Sequence, residues 1–207
     1  TKFDSGGEWT MDFSANQLVE ENPKLAPNTA MLKDVLNKLI DNPYDVIMKK
    51  PNFIIAGFPK CGTTSLHHYL NEHPEIYMPA QKELHFFTFN ILSKLKNGPK
   101  DATIKETQID NSEKYLSFYK NVRNEVAIGD ASPSYINYPS QFKKIKEYLN
   151  DPKIIIILRD PINRAYSNYL HLKREHRETL TFKEAIFKED ERKKNKYSDF
   201  WYYKFNS

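Results

Sequence analysis

Residues 54–65, Ile-Ile-Ala-Gly-Phe-Pro-Lys-Cys-Gly-Thr-Thr-Ser, decide the fold of this chain. An apolar run breaks into Gly57, Pro59 and Gly62 and then passes into hydroxyl residues. That order predicts a strand, a tight turn and a helix N-terminus. The first backbone N–H groups of a helix have no internal partner and carry the positive end of its dipole, so the turn is suited to an anion. Lys60 places a cation within the turn, and Thr63, Thr64 and Ser65 add hydroxyl donors. The competing reading is a turn whose glycines serve backbone geometry only. With six glycines in 207 residues, the Gly57/Gly62 pair is less easily an accident of composition.

Outward from this stretch, Phe53–Gly57 reads as a short buried strand and 63–72 as a helix that stops before Pro74. Residues 91–111 mix Lys, Asn, Gly and Pro and read as a surface excursion. A helix over 112–122, a strand over 126–129 and a helix over 139–149 follow. Residues 153–158, Lys-Ile-Ile-Ile-Ile-Leu, are an apolar run without alternation, the pattern of a strand covered on both faces. It ends in Arg159-Asp160-Pro161 and passes into a helix over about 162–173. Thr181-Phe-Lys-Glu184 has the spacing of a capping box opening a last helix to about Asp190, and 188–196 reads as a solvated charged face. Strands alternating with helices predict an α/β fold with a central parallel sheet, whose ligands bind beyond the C-terminal strand ends. The two polar segments, 57–65 and 159–168, therefore face the same sheet edge.

The N-terminal 1–50 reads as an extension, irregular to about residue 28. One helix follows, capped by Asn28 or Thr29, carrying Met31, Leu32, Val35, Leu36 and Leu39, and ending near Pro43. Residues 51–207 form the main domain. A formal net charge of +4 is a weak pointer to anionic ligands. Cys61 is the only cysteine, which excludes an internal disulfide and a cysteine-based zinc cluster. Beside Lys60 at a helix N-terminus its thiol pKa would be lowered, so a reactive thiol is considered, although no partner for a thiol mechanism stands out. No run approaches the roughly 18 apolar residues of a membrane span.

Two further segments carry chemistry. Arg159 stands at a strand end, where a guanidinium makes a forked contact with phosphate, and Ser167 lies on the following helix within reach of the same anion. The plain alternative pairs Arg159 with Asp160 or a neighbouring carboxylate as a structural ion pair. In Lys82-Glu-Leu-His-Phe-Phe87, Glu83 and His85 alternate with Leu84 and Phe86, so an extended backbone projects both to one face. A carboxylate beside an imidazole suits deprotonation of an alcohol. The first turn departs from the nucleotide triphosphatase pattern G-x-x-x-x-G-K-[ST], because Thr63 follows Gly62 and the lysine, Lys60, comes two residues earlier.

Together the three segments, in this order, resemble the sulfotransferases that use 3′-phosphoadenosine 5′-phosphosulfate (PAPS), which have a P-loop-like nucleotide-binding fold. Phe58-Pro-Lys-Cys-Gly-Thr-Thr-Ser-Leu66 resembles the family's 5′-phosphosulfate loop. Residues 157–169 resemble its 3′-phosphate motif, with Arg159 and Ser167 at the phosphate-holding positions. Lys82–Phe87 is similar to the catalytic segment of the heparan-sulfate-type and related bacterial branch, and Gly129-Asp-Ala-Ser-Pro-Ser-Tyr135 to that branch's acceptor-side segment.

The resemblance implies in-line transfer of a sulfuryl group from PAPS to a hydroxyl or amine, releasing adenosine 3′,5′-bisphosphate (PAP). Glu83 is implied as base, with His85 orienting it or the acceptor. Lys60 is implied to stabilise the leaving phosphate; Cys61, Gly62, Thr63, Thr64 and Ser65 form its loop, and Arg159 and Ser167 hold the 3′-phosphate. No metal is implied, since a sulfuryl group carries less charge than a phosphoryl group. The implied partners are PAPS and an acceptor, a glycan first and a small-molecule alcohol or amine second, with no nucleic acid and no membrane segment in this chain.

Two departures stand out. Ala131 occupies a position where several glycan sulfotransferases carry lysine, and family members continue with further helices and a basic closing loop, so the domain reads as truncated after Ser207. The alternatives are a P-loop kinase and a non-catalytic module binding anionic glycans. A cytoplasmic enzyme and a trimmed Golgi lumenal domain read alike here, and oligomeric state is not read.

Overall fold

The computed structural model describes residues 2–3, 9–10, 50–104, 108–198 and 203. The chain divides into two compact units, Thr1–Asn42 and Pro43–Ser207. In the first, β1 (Lys2–Phe3) pairs antiparallel with β2 (Trp9–Thr10). The helix expected between residues 28 and 43 lies outside the described residues.

The second unit is built on β3 (Phe53–Gly57), followed by α1 (Thr63–Asn71) and the short β4 (Ile76–Tyr77). Two short helices, α2 (Phe89–Leu92) and α3 (Asp101–Ile104), precede α4 (Ser112–Ser117) and β5 (Ala127–Ala131). Then come α5 (Phe142–Leu149), β6 (Lys153–Ile156), the 14-residue α6 (Pro161–Arg174), α7 (Phe182–Phe187) and α8 (Glu189–Lys194). The four strands form one parallel sheet in the order β4-β5-β3-β6, flanked by helices, which is the α/β class the sequence predicts.

β3 is wholly buried at the sheet centre, with β5 on one side (Phe53 opposite Gly129) and β6 on the other (Phe53 opposite Lys153). The expectation for 153–158 needs correction. Among the described residues β6 is an edge strand, and Ile154, Ile156 and Leu158 are 40%, 42% and 74% exposed. A run without alternation shows that neither face is patterned for water, but it does not reveal whether a neighbour covers it.

Other boundaries also move. α4 ends at Ser117 rather than near 122, the helix expected from 139 begins as a 3₁₀ turn over Pro139–Gln141, and the last expected helix is split at Lys188. The capping box forms, with the Thr181 backbone N–H donating to Glu184 Oε2 at 2.9 Å and the Glu184 N–H reaching Thr181 Oγ1 at 3.4 Å. The charged stretch after 188 is not wholly a solvated face. Arg192 is buried and donates to both Glu178 oxygens, at 2.7 and 3.0 Å. The excursion before α4 is likewise anchored, because buried Asp101 pairs with Arg177 and Ile109 is 1% exposed.

The aromatic residues supply the core. Tyr115, Tyr119, Tyr135 and Phe87 are essentially inaccessible, and Phe86 stacks on Tyr115 with ring centroids 4.3 Å apart. Gly129 lies in β5 where a Cβ would meet Met78 Sδ at 2.3 Å and Phe53 Cζ at 2.4 Å. Gly129→Ala is therefore expected to cost about 1–3 kcal/mol by overpacking. Urea unfolding checks this, and an unchanged midpoint would show that the core yields more easily than the packing implies.

Candidate active site

The main-chain pairing of β3 and β6 continues past both strands, with Phe58 N–H donating to Ile157 O at 3.0 Å and Ile157 N–H to Gly57 O at 2.9 Å. The loops leaving these two strands thus start side by side. Gly57 lets the segment after β5 pack against the end of β3, since a Cβ there would meet Ile136 Cγ2 at 2.4 Å. The first loop turns through Lys60 (φ 66°) and Gly62 (φ 93°), and Gly62 serves as N-cap of α1. No side chain caps that terminus, so the leading N–H groups of α1 are not answered by a capping oxygen.

The second loop places Arg159 against the first. Its Nη1 donates to Lys60 O at 3.3 Å, while the Asp160 carboxylate caps α6 by accepting from Asn163 N–H at 2.8 Å. The plain alternative, an ion pair of Arg159 with Asp160 or a neighbouring carboxylate, is absent among the described residues. α6 is amphipathic across this site. Ala165 and Leu172 pack into an apolar cluster with Ala185 and Tyr203, whereas Ser167, His171 and Arg174, spaced i, i+4, i+7, share the face that lines the cleft.

That cleft has a volume of about 440 Å³. Lys60, Gly62, Thr63 and Thr64 line one wall, Arg159 and Ser167 another, and Glu83 also borders it. Three residues expected from sequence do not line it. Cys61 is buried, Ser65 is an exposed residue of α1 outside the lining, and His85 is buried next to Glu83. Burial pushes the Cys61 thiol up, overriding the nearby cations that would lower it, so the low thiol pKa considered from sequence is not found. His171 and Arg174 complete the lining from α6. Their helical spacing from Ser167 was the available signal.

Glu83 and His85 do meet, by a route that alternation does not describe. Both have left-handed backbone, φ 64° and 54°, and the chain between 82 and 86 is not extended. Glu83 Oε2 stands 3.8 Å from His85 Nε2. Burial raises the Glu83 carboxyl, but the charge and hydrogen bond of Lys82 outweigh it and hold the group below its ordinary value, so it is ionised at neutral pH. Although Ala131 offers no cation, Lys82 stands against the carboxylate. Burial, and then the charge of Arg174, lower the Lys60 ammonium, and burial with Lys60 and Arg174 lowers His171. The aromatics near these segments serve packing: Phe87 and Tyr135 are core, Phe86 packs on Tyr115, and Tyr203 is buried. Residues 200–202 lie outside the described residues.

Burial holds the His85 imidazole down at about 4, against an ordinary value of 6.5. Its unfolded form therefore binds more protons between these values, and stability is lost as pH falls from about 6.5 toward 4, by an amount on the order of 3 kcal/mol. Urea midpoints measured from pH 7 to 4.5 are expected to fall, and to fall less steeply in His85→Gln. An identical slope in the two proteins would remove His85 as the cause.

Comparison with known proteins agrees with this geometry. The Sulfotransferase family model matches residues 51–204. The chain is 36% identical over 119 residues to membrane-associated sulfotransferase kil1 of Dictyostelium discoideum, covering 58% of this chain and 22% of that protein. It is 30% identical over 167 residues to carbohydrate sulfotransferase 15 of Mus musculus, covering 66% of this chain and 30% of that protein. It thus spans less than a third of each of these curated relatives. The crystal structure of a sulfotransferase from Alicyclobacillus acidocaldarius superposes with a TM-score of 0.72 at 42% identity, over 75% of this chain and 63% of that one. A strand-turn-helix with an uncapped, lysine-bearing turn, an arginine loop beside it and a family match across both place this chain in the sulfotransferase family.

Proposed function

We propose that the protein transfers a sulfuryl group from PAPS to an acceptor hydroxyl or amine, with a glycan hydroxyl as the preferred acceptor. The observation that carries this reading is the single cleft bordered by Lys60, the uncapped α1 N-terminus, Arg159, Ser167 and Glu83. Its donor set fits a ligand with two anionic groups, with N–H groups, hydroxyls and Lys60 on one wall and a guanidinium and Ser167 on the other. The name of the carbohydrate sulfotransferase relative supports the glycan.

PAPS supplies an activated sulfuryl group whose departure leaves charge on a phosphate oxygen. Lys60 and the α1 N–H groups meet that charge with fixed dipoles, needing little rearrangement as it develops. Arg159 and Ser167 hold the 3′-phosphate and separate PAPS from ordinary adenine nucleotides. Glu83, ionised at neutral pH, accepts the proton of the attacking hydroxyl or amine. His85, buried and neutral, braces Glu83. Donor and acceptor are the partners this mechanism needs, and no step calls on a metal.

Full-length protein incubated with sulfur-labelled PAPS and a panel of glycans and small alcohols or amines is expected to label a glycan. Lys60→Ala and Glu83→Gln should each lower turnover by at least about 10²-fold, with Glu83→Gln still binding PAP. Near-normal turnover by either folded variant would remove the role given to that residue. Arg159→Ala should weaken PAP binding by about 10- to 100-fold, the worth of a charge-assisted hydrogen bond, and unchanged affinity would place the 3′-phosphate elsewhere.

A further inference from the structure

The segment 129–135 is not used by the mechanism above, yet it is tied to the residues that are. Glu83 and His85 hold left-handed backbone that side-chain-bearing residues avoid, and such conformations persist only where surrounding structure fixes them. Here the fixing comes from the chain leaving β5. Glu83 N–H donates to Ala131 O at 3.0 Å, and His85 N–H to Ser132 Oγ at 3.2 Å. The His85 ring meets Ser134 Oγ through Nδ1 at 2.8 Å, and Ser134 Oγ meets Thr88 Oγ1 at 2.9 Å.

Proton counting explains why Asp130 lies behind this arrangement. Its carboxylate is wholly buried, has no cation at ion-pair distance among the described residues, and is surrounded by hydroxyls. Tyr115 and Tyr135 donate to Oδ2 at 2.9 and 2.8 Å, and Ser132 donates to Oδ1 at 2.7 Å. A carboxylate only accepts, so it commits the single proton of Ser132 to itself and leaves the serine lone pairs for the His85 N–H. A neutral hydrogen-bonding side chain at 130 would not dictate that polarity. Burial raises the Asp130 carboxyl above its ordinary value, and the hydrogen bonds from Ser132, Tyr135 and Tyr115 oppose that rise, so the three donors favour the accepting form that orients Ser132 toward the loop carrying Glu83.

We infer that Ser132 and Ser134, oriented by the buried Asp130 carboxylate and by Thr88, are positioning residues that hold Glu83 and His85 at the transfer centre. They touch neither donor nor acceptor and act through the backbone of 83–85 and the ring of His85. The inference rests on the reading of Glu83 as base. It assigns to the acceptor-side segment a role in seating the base, in a chain whose Ala131 offers that segment no cation.

The test uses Ser132→Ala and Ser134→Ala in the full-length protein, with steady-state transfer from labelled PAPS and equilibrium binding of PAP. Each variant is expected to lose about 10²-fold in kcat, the scale of a misplaced catalytic group, while PAP affinity stays within twofold, because neither serine borders the cleft. Asp130→Asn should show the same split. Unchanged kcat in both serine variants, with Glu83→Gln inactive, overturns the inference and leaves the base intact. A parallel loss of PAP affinity also overturns it, since a general structural role would spread damage to the donor site. Normal turnover by Glu83→Gln overturns the base reading itself, and this inference with it.

Discussion

The site depends on two main-chain hydrogen bonds, Phe58 N–H to Ile157 O and Ile157 N–H to Gly57 O, which carry the β3/β6 pairing beyond the ends of both strands. Neighbouring parallel strands deliver their following loops to one sheet edge. Because β3 is central and β6 adjacent, the lysine-bearing turn and the arginine loop emerge within contact, and Arg159 bridges to Lys60 O. β5, on the other flank of β3, brings the third component, since its last residue, Ala131, accepts the Glu83 N–H. One sheet edge therefore gathers cations from two strands and a carboxylate fixed by a third.

Electrostatics follow from that gathering. Lys60, Arg159 and Arg174 line the cleft with Glu83 as the carboxylate among them, and the Lys60 ammonium is lowered by burial and by like-charged neighbours. Cations crowded beyond what one carboxylate balances favour an anionic ligand. Glu83 is protected from the opposite fate by Lys82, which keeps it ionised despite partial burial. Behind the cleft the polar groups are satisfied by hydroxyls, so the wall of Lys60 and Arg159 is charged while the support behind Glu83 is a hydroxyl network around Asp130.

Much of this was legible in the sequence, and the remainder was not for identifiable reasons. The strand-turn-helix at 53–71 could be read because Gly62 and the hydroxyl residues mark a helix start locally, and Arg159 because it ends an apolar run. The meeting of Glu83 and His85 was expected, but from an extended backbone; the left-handed conformations that produce it are set by residues 131–134, some 50 positions away. Cys61 misleads because local charge argues for a low pKa while burial, a tertiary property, sets a high one. The apolar run at 153–158 signals a strand without telling whether it is central or at the edge. Arg192 shows the same limit, since its burial depends on Glu178 and not on its charged neighbours in sequence.

The proposed function makes the cleft a two-anion clamp for a 3′-phosphorylated adenine nucleotide. It is tested most directly by calorimetric titration of the full-length protein, without magnesium, using PAP and adenosine 5′-phosphate in turn. The account predicts saturable one-site binding of PAP and binding of adenosine 5′-phosphate weaker by at least about 10-fold, the value of losing a charge-assisted contact. Equal affinity for the two nucleotides, or no binding of PAP, would contradict it.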